Sequence, residues 1–347
     1  MEPEPILIWE LVLRGFALGC LAAVGAGLWR SGRPAIRISG LLMVLSTMAY
    51  VVNSSALTRE ATGFLTIPIH FFALGGAGFF WLFIVTLFED RPISWLTLTP
   101  AGILTGLGLV GWMTRQQMSS PLWIAHNLIE AGFALHALFV IASSWRGDLV
   151  ETRRRLRGPV LAVVTIYVIA LSGFEIGEGL GLRQPWFDIA GASALAFMCG
   201  LGALAFVQAQ PALFGAAAAA PRDGLDAGDR LLLSKLEALM GAGEAWRREG
   251  LTIGALASDT GAPEHKLRRL INDHLGFRNF AAFVNARRID AAKARLADPA
   301  KAREPVSAIA FDLGFGSLGP FNRAFKEATG QTPTEWRRQS LAETEKL

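Results

Sequence analysis

Seven apolar stretches, each long enough to cross a hydrocarbon layer of about 30 Å, recur in the first 210 residues, at 6–29, 36–56, 64–88, 94–113, 122–145, 159–180 and 186–207. A soluble protein with seven buried helices would need polar helix faces that these stretches lack. The expected fold is therefore all-α, beginning with a seven-helix transmembrane bundle. Trp81, Trp95, Trp112, Trp123, Trp145 and Trp186 stand near the ends of the stretches, several of them where an interfacial aromatic belt would lie.

Basic residues in short loops are retained on the cytoplasmic side. Alternate loops hold Arg30, Arg33, Arg37, Arg91, Arg146, Arg153, Arg154, Arg155 and Arg157, whereas the others hold only Arg59, Arg115 and Arg183. Nine against three places the N-terminus outside and, after seven spans, the C-terminal part in the cytoplasm. The opening Met1-Glu-Pro-Glu-Pro5 lacks a basic n-region, so the first apolar run reads as a retained span.

Composition changes near Pro221. The whole chain is 52% hydrophobic and 18% charged, too apolar for one soluble globule. Residues 221–347 carry 20 Lys/Arg and 17 Asp/Glu, against 13 and 12 in 1–220, an ordinary soluble composition. The expected domains are 1–210 in the membrane, a linker at 211–227 containing an Ala tract closed by Pro221, and a soluble domain at 228–347. Leu231, Leu232, Leu233, Leu236, Leu239 and Met240 recur at helical spacing, for a helix that either packs on that domain or pairs with a second copy of the chain. Cys20 and Cys199 lie in apolar runs and suggest neither a disulfide framework nor a thiolate metal site. No nucleotide-binding glycine loop, triad spacing or zincin motif is present, so neither catalysis nor a cofactor is expected.

The soluble part contains an internal repeat. Ile253-Gly-Ala-Leu-Ala-Ser-Asp-Thr-Gly261 aligns with Val306-Ser-Ala-Ile-Ala-Phe-Asp-Leu-Gly314, and with one extra residue in the second turn Leu267, Arg269 and Ile271 fall on Phe321, Arg323 and Phe325. Each copy, near 252–272 and 305–329, reads as helix, glycine turn, helix. Gly261 and Gly314 supply the positive φ that ends the first helix. Pro263 suits the first helical position of the second helix, and Ser317 suits the N-cap of its counterpart. Between the copies, 280–296 reads as one linking helix with Phe283, Ile289, Ala292 and Leu296 inward. Thr332-Pro-Thr-Glu335 is a capping box that opens a last helix.

The most specific stretch is Ala308-Ile-Ala-Phe-Asp-Leu-Gly-Phe-Gly-Ser-Leu-Gly-Pro-Phe-Asn-Arg-Ala-Phe-Lys326, followed by Gly330-Gln-Thr-Pro-Thr-Glu-Trp-Arg337. On these residues 251–338, about a quarter of the chain, resembles the DNA-binding domain of AraC/XylS-type transcription regulators. The membrane part does not resemble the sugar-binding barrel often fused to such domains. The resemblance implies two helix-turn-helix units set about 34 Å apart on one side of a duplex, each with its second helix in the major groove. In the first unit Glu264, His265, Lys266 and Arg268 would reach base edges or phosphates. In the second, by resemblance, Ser317, Leu318, Gly319 and Asn322 face the groove. That set is poor in long polar side chains, so base discrimination would rest mainly on the first unit. The repeat-matched Arg269 and Arg323 suit phosphate contacts. Basic residues gather on the reading and linking helices at Lys266, Arg268, Arg269, Arg278, Arg287 and Arg288.

In the apolar part, Glu10, Asn53, His70, His126, Asn127, Glu130, Glu175, Glu178 and Asp188 all fall toward the outer half under this orientation. Ionisable groups in a bilayer are costly enough to mark function. His126 with Glu130, and Glu175 with Glu178, each share a helix face; with His70 they make a candidate signal site for a cation, a proton or a polar ligand. Their spacing is not diagnostic of zinc, and no metal is assigned. The reading is a regulator in the bacterial cytoplasmic membrane whose partners are double-stranded DNA, the lipid bilayer, a second copy of the chain, RNA polymerase and an unidentified small ligand or ion. The rival reading is a membrane enzyme or transporter with a helical protein-interaction tail.

Overall fold

The computed structural model describes residues 5–114, 121–143, 145, 147–150, 154, 158–162, 187–208 and 225–344. Among them every named element is helical, and one isolated antiparallel bridge joins Asp148 to Asn279. The chain divides into two compact units, the first from Met1–Arg146 and Glu151–Ala218, the second from Gly147–Val150 and Ala219–Leu347.

The first unit contains α1 (Pro5–Trp29), α2 (Pro34–Asn53), α3 (Ala56–Ala61), α4 (Thr66–Leu74), α5 (Gly76–Phe88), α6 (Trp95–Met113), α7 (Pro121–Ser143) and α8 (Phe187–Gln208). Five helices are long and apolar enough to cross a membrane, and α4 with α5 makes a sixth crossing if the bent pair is one span. The expected span at 159–180 lies almost wholly outside the described residues, as does the linker. The single span expected at 64–88 is broken, with a bend of 50° between its halves. The break falls at Gly75, where a Cβ would stand 2.7 Å from Oγ1 of Thr105; a glycine pair is a common place for such a kink. One turn on, a Cβ at Gly78 would stand 2.4 Å from the backbone of Ala101, so α5 and α6 meet backbone to backbone as small residues allow. Helix α5 is apolar all round and is buried from Leu82 to Phe88 among α2, α6 and α7, the position such a helix requires.

The second unit contains α9 (Ala227–Met240), α10 (Ile253–Thr260), α11 (Glu264–Arg269), α12 (Phe280–Ala297), α13 (Val306–Asp312), α14 (Leu318–Thr329) and α15 (Pro333–Thr344). The leucine-rich α9 packs on the domain, burying Leu232, Leu236 and Met240 while Leu231 stays exposed. The linking helix α12 opens on an Asn279 cap, Ala282 N–H donating to Oδ1 at 2.7 Å. It buries Phe283, Ile289, Ala292 and Leu296, the four positions its periodicity selects. Leu267, Ile271, Phe321 and Phe325 are fully buried. The capping box before α15 closes from both sides, Thr332 N–H donating to Glu335 at 2.8 Å and Glu335 N–H to Thr332 Oγ1 at 3.3 Å.

Candidate nucleic-acid interface and signal site

In the first helix-turn-helix unit Thr252 caps α10 by accepting the Ala255 N–H at 3.1 Å. Gly261, at φ 67°, reverses the chain. Pro263 occupies the N-cap of α11 in extended conformation, one place before the expected position. Leu267 and Leu270 turn inward, leaving Glu264, His265, Lys266 and Arg269 exposed on one helix. Arg268 is different. It is only 4% exposed, its Nε donates to Oε1 of Glu264 at 2.9 Å, and its Nη1 donates to the carbonyl oxygen of Asp148 at 2.5 Å. Arg269 projects outward, and its Nη2 donates to Oδ2 of Asp229 on α9 at 2.9 Å.

The second unit turns at Gly314, φ 85°. Ser317 takes the extended N-cap conformation of α14 but makes no side-chain capping bond. Its hydroxyl is exposed together with Leu318, Gly319, Asn322 and Arg323. The Arg323 guanidinium arches over Gly319, 3.6 Å from where a Cβ would stand. Behind α11 and α14 the repeat-matched aspartates hold arginines. Asp259 pairs with Arg248, and Asp312 pairs with Arg295 and, at 3.4 Å, with Arg247. Arg295 also binds Glu304 through Nε at 2.8 Å. Its hydrogen bonds hold the Glu304 and Asp312 carboxyls below the usual carboxylate range, and theirs raise Arg295 above the usual guanidinium range.

The basic surface is smaller than the sequence suggests. Arg268 and Arg288 are buried. Arg288 donates to the carbonyls of Trp246 at 2.7 Å and Arg248 at 2.8 Å and lies 5.1 Å from the Phe315 ring centre; burial lowers its pKa. It brackets the linking helix to the segment before α10 and, through Phe315, to the turn after Gly314. What remains outward is one helix rich in long polar groups, α11, and one with small and apolar groups at its start, α14.

In the first unit of the chain His70 and His126 are buried at 8% and 5% exposure and Glu130 is half-buried. Nδ1 of His70 donates to Oδ1 of Asn53 at 3.1 Å, and Nδ1 of His126 lies 3.9 Å from Glu130. The two imidazoles are linked through tryptophans. His70 packs on Trp112 with ring centres 5.0 Å apart, and His126 on Trp123 at 5.5 Å; Trp123 covers Gly111, beside Trp112. Nε2 of His70, Nε2 of His126 and Nε1 of Trp123 are buried without a hydrogen-bond partner among the described residues. Glu175 and Glu178 lie outside the described residues, and the described residues contain no group of three or more His, Cys, Asp or Glu suited to a metal. His136 is exposed and accepts the Trp81 indole N–H at 2.9 Å.

Sequence reasoning missed Arg14. It is 4% exposed, pairs with Glu10 at 2.9 Å, and donates through Nη1 to the Val51 carbonyl at 2.6 Å and to Ser54 Oγ at 2.7 Å. The available signal was the i,i+4 spacing of opposite charges inside an apolar run. Arg14 thereby clasps the end of α2 to α1 and neutralises Glu10, which leaves Glu10 with a structural role.

Residues 256–339 match the family model of a helix-turn-helix domain, of AraC type. No curated protein and no solved structure matches the chain.

Proposed function

We propose, from an AraC-type helix-turn-helix domain at 256–339 that follows helices able to cross a membrane, that this chain is a one-component transcription regulator held in the cytoplasmic membrane. Its two helix-turn-helix units read DNA, and a signal at the membrane part controls them. The single observation that carries the reading is the exposed row Glu264, His265, Lys266 and Arg269 on the second helix of the first unit, where base and phosphate contacts are made in such units. His265 and Lys266 contact base edges. Arg269 contacts a phosphate, for which it exchanges Asp229. Arg323 is its counterpart in the second unit, beside Ser317, Leu318, Gly319 and Asn322. Arg268 supports α11 from behind. The N-terminus lies outside, as the nine-to-three loop arginine count favours. His70, His126 and Glu130, beside the buried, unpartnered Nε2 atoms of the two histidines and Nε1 of Trp123, receive a small polar ligand or a proton.

The test is a binding titration of full-length protein in lipid nanodiscs against duplexes selected from a random library. Arg269→Ala should weaken binding to every duplex and lower the slope of log affinity against log salt by about one. Lys266→Ala should instead change which duplexes are preferred, by about 1–3 kcal/mol at the bases concerned. An Arg269→Ala protein with unchanged affinity and unchanged salt slope would remove the phosphate assignment.

A further inference from the structure

Four residues of the second unit do not come from the C-terminal part of the chain. Gly147–Val150 follow α7 in sequence, separated by three residues from its last residue, Ser143, and they are built into the first helix-turn-helix unit. Leu149 is 2% exposed and belongs to the same apolar core as Leu267, Ile271, Phe280 and Phe283. Its N–H donates to the Arg278 carbonyl at 3.1 Å, and the Gly147 carbonyl accepts the Phe280 N–H at 2.8 Å. That N–H is the first of α12 and has no acceptor within its own helix. Asp148 is 2% exposed. Its carboxylate accepts the Val150 N–H at 3.0 Å, which fixes the turn, and its carbonyl accepts from Arg268. An apolar plug, a two-way backbone bridge and a buried guanidinium therefore hold one short segment. The reading row Glu264, His265, Lys266 and Arg269 stays exposed while it is in place.

We propose that Gly147–Val150 is a strap that transmits the state of the membrane helices to the first reading helix, and that the docked strap is the DNA-competent state. The proposal rests on the function proposed above. Helix α7 carries His126 and Glu130 in its first half and is separated from the strap by three residues of the chain, so the covalent connection lets a shift of α7 along its axis pull on Leu149. Withdrawal of the strap empties the Leu149 site, strips an acceptor from Arg268 beneath α11 and leaves the Phe280 N–H unpaired. Groups that lose their partners in this way open locally while the remainder of a domain stays folded.

Hydrogen exchange and DNA titration on one preparation test it, using full-length protein in nanodiscs of phosphatidylethanolamine and phosphatidylglycerol, with the duplex that the wild-type protein selects from a random library. In the wild type the Leu149 and Phe280 amides exchange slowly. In Leu149→Asp both should exchange at least about 100-fold faster while the interior amides of α12 and α14 keep their protection. Affinity for the selected duplex should fall at least about tenfold, as a competent population cut to about a tenth requires. Leu149→Met should resemble the wild type. If Leu149→Asp does not fold, Leu149→Ala carries the test, with smaller changes in the same direction. Fast exchange at Leu149 and Phe280 in a wild-type protein that does select a duplex overturns the strap alone, as does full affinity in a folded Leu149→Asp protein that has lost both protections. A wild-type protein that selects no duplex overturns the DNA-binding reading beneath it.

Discussion

Gly261 and Gly314 occupy matching places in the internal repeat, yet a side chain would meet different obstacles at the two. At Gly261 the space is open and only the φ of 67° opposes a side chain, a cost of about 1–2 kcal/mol. At Gly314 the φ is 85°, and a Cβ would also lie 2.3 Å from the Arg247 carbonyl oxygen and 2.8 Å from Nη2 of Arg288. Relief there means moving the backbone that Arg288 brackets. Gly314→Ala should therefore destabilise the second unit by about 4 kcal/mol or more, within the range reserved for strained or overpacked sites, and Gly261→Ala by clearly less. Urea titration of the two variants, monitored by circular dichroism, checks the order; equal losses would mean that the close approach at Gly314 is relieved at little cost. Both glycines were legible in the sequence as turn residues, because the repeat aligns them. The packing that distinguishes them was not, since Arg247 and Arg288 come from distant segments.

At the scale of elements, the Arg295 network joins α12 to α13 and should make the second unit acid-sensitive. The folded pKa values of Glu304 and Asp312 lie below their ordinary values, so the unfolded chain binds more protons and stability rises with pH through that range. Their contribution is complete above the ordinary carboxylate pKa of about 4 and is lost as pH falls through the lowered folded values. Arg295→Ala should lower stability at neutral pH and flatten this acid limb, so that variant and wild type converge as pH falls through the lowered folded values. Melting curves of wild type and variant between about pH 6 and pH 3 measure it; parallel acid limbs would show that the network contributes nothing to the pH dependence. The helices themselves were largely legible. The 3.6-residue pattern gave α12 and its four inward residues, and Thr332 with Glu335 announced α15. Two features escaped for physical reasons. A periodicity reading treats every arginine as outward, so Arg268 and Arg288 counted as basic surface although backbone carbonyls satisfy them inside. The Leu149 strap escaped because pairing across 120 or more residues leaves no local signature. The break at Gly75 was hidden because hydropathy is continuous across it.

For the whole molecule, the order of apolar helices first and paired helix-turn-helix units last is what gives the chain its meaning. Hydropathy and a repeat are both read directly from sequence, which is why the all-α architecture and the AraC-type domain were visible there. The candidate signal site was visible only in part. His70, His126 and Glu130 stand out as polar residues in apolar runs, but the two indoles that connect the imidazoles belong to the packing of α4, α6 and α7. Arg14 shows the opposite case, a charge in an apolar run that is paired with Glu10 and bonded to Val51 and Ser54 within the protein. The central claim is that one chain is both held in the membrane and bound to specific DNA. The most direct measurement is to cross-link cells, wash their membranes free of soluble and peripheral protein, capture the full-length chain and sequence the DNA that comes with it. The account predicts discrete genomic sites, each with two sequence blocks about one helical turn apart, that are lost when His265 and Lys266 are both replaced by alanine. DNA recovered without enrichment at any site, or enrichment found only with protein in the soluble fraction, would contradict it.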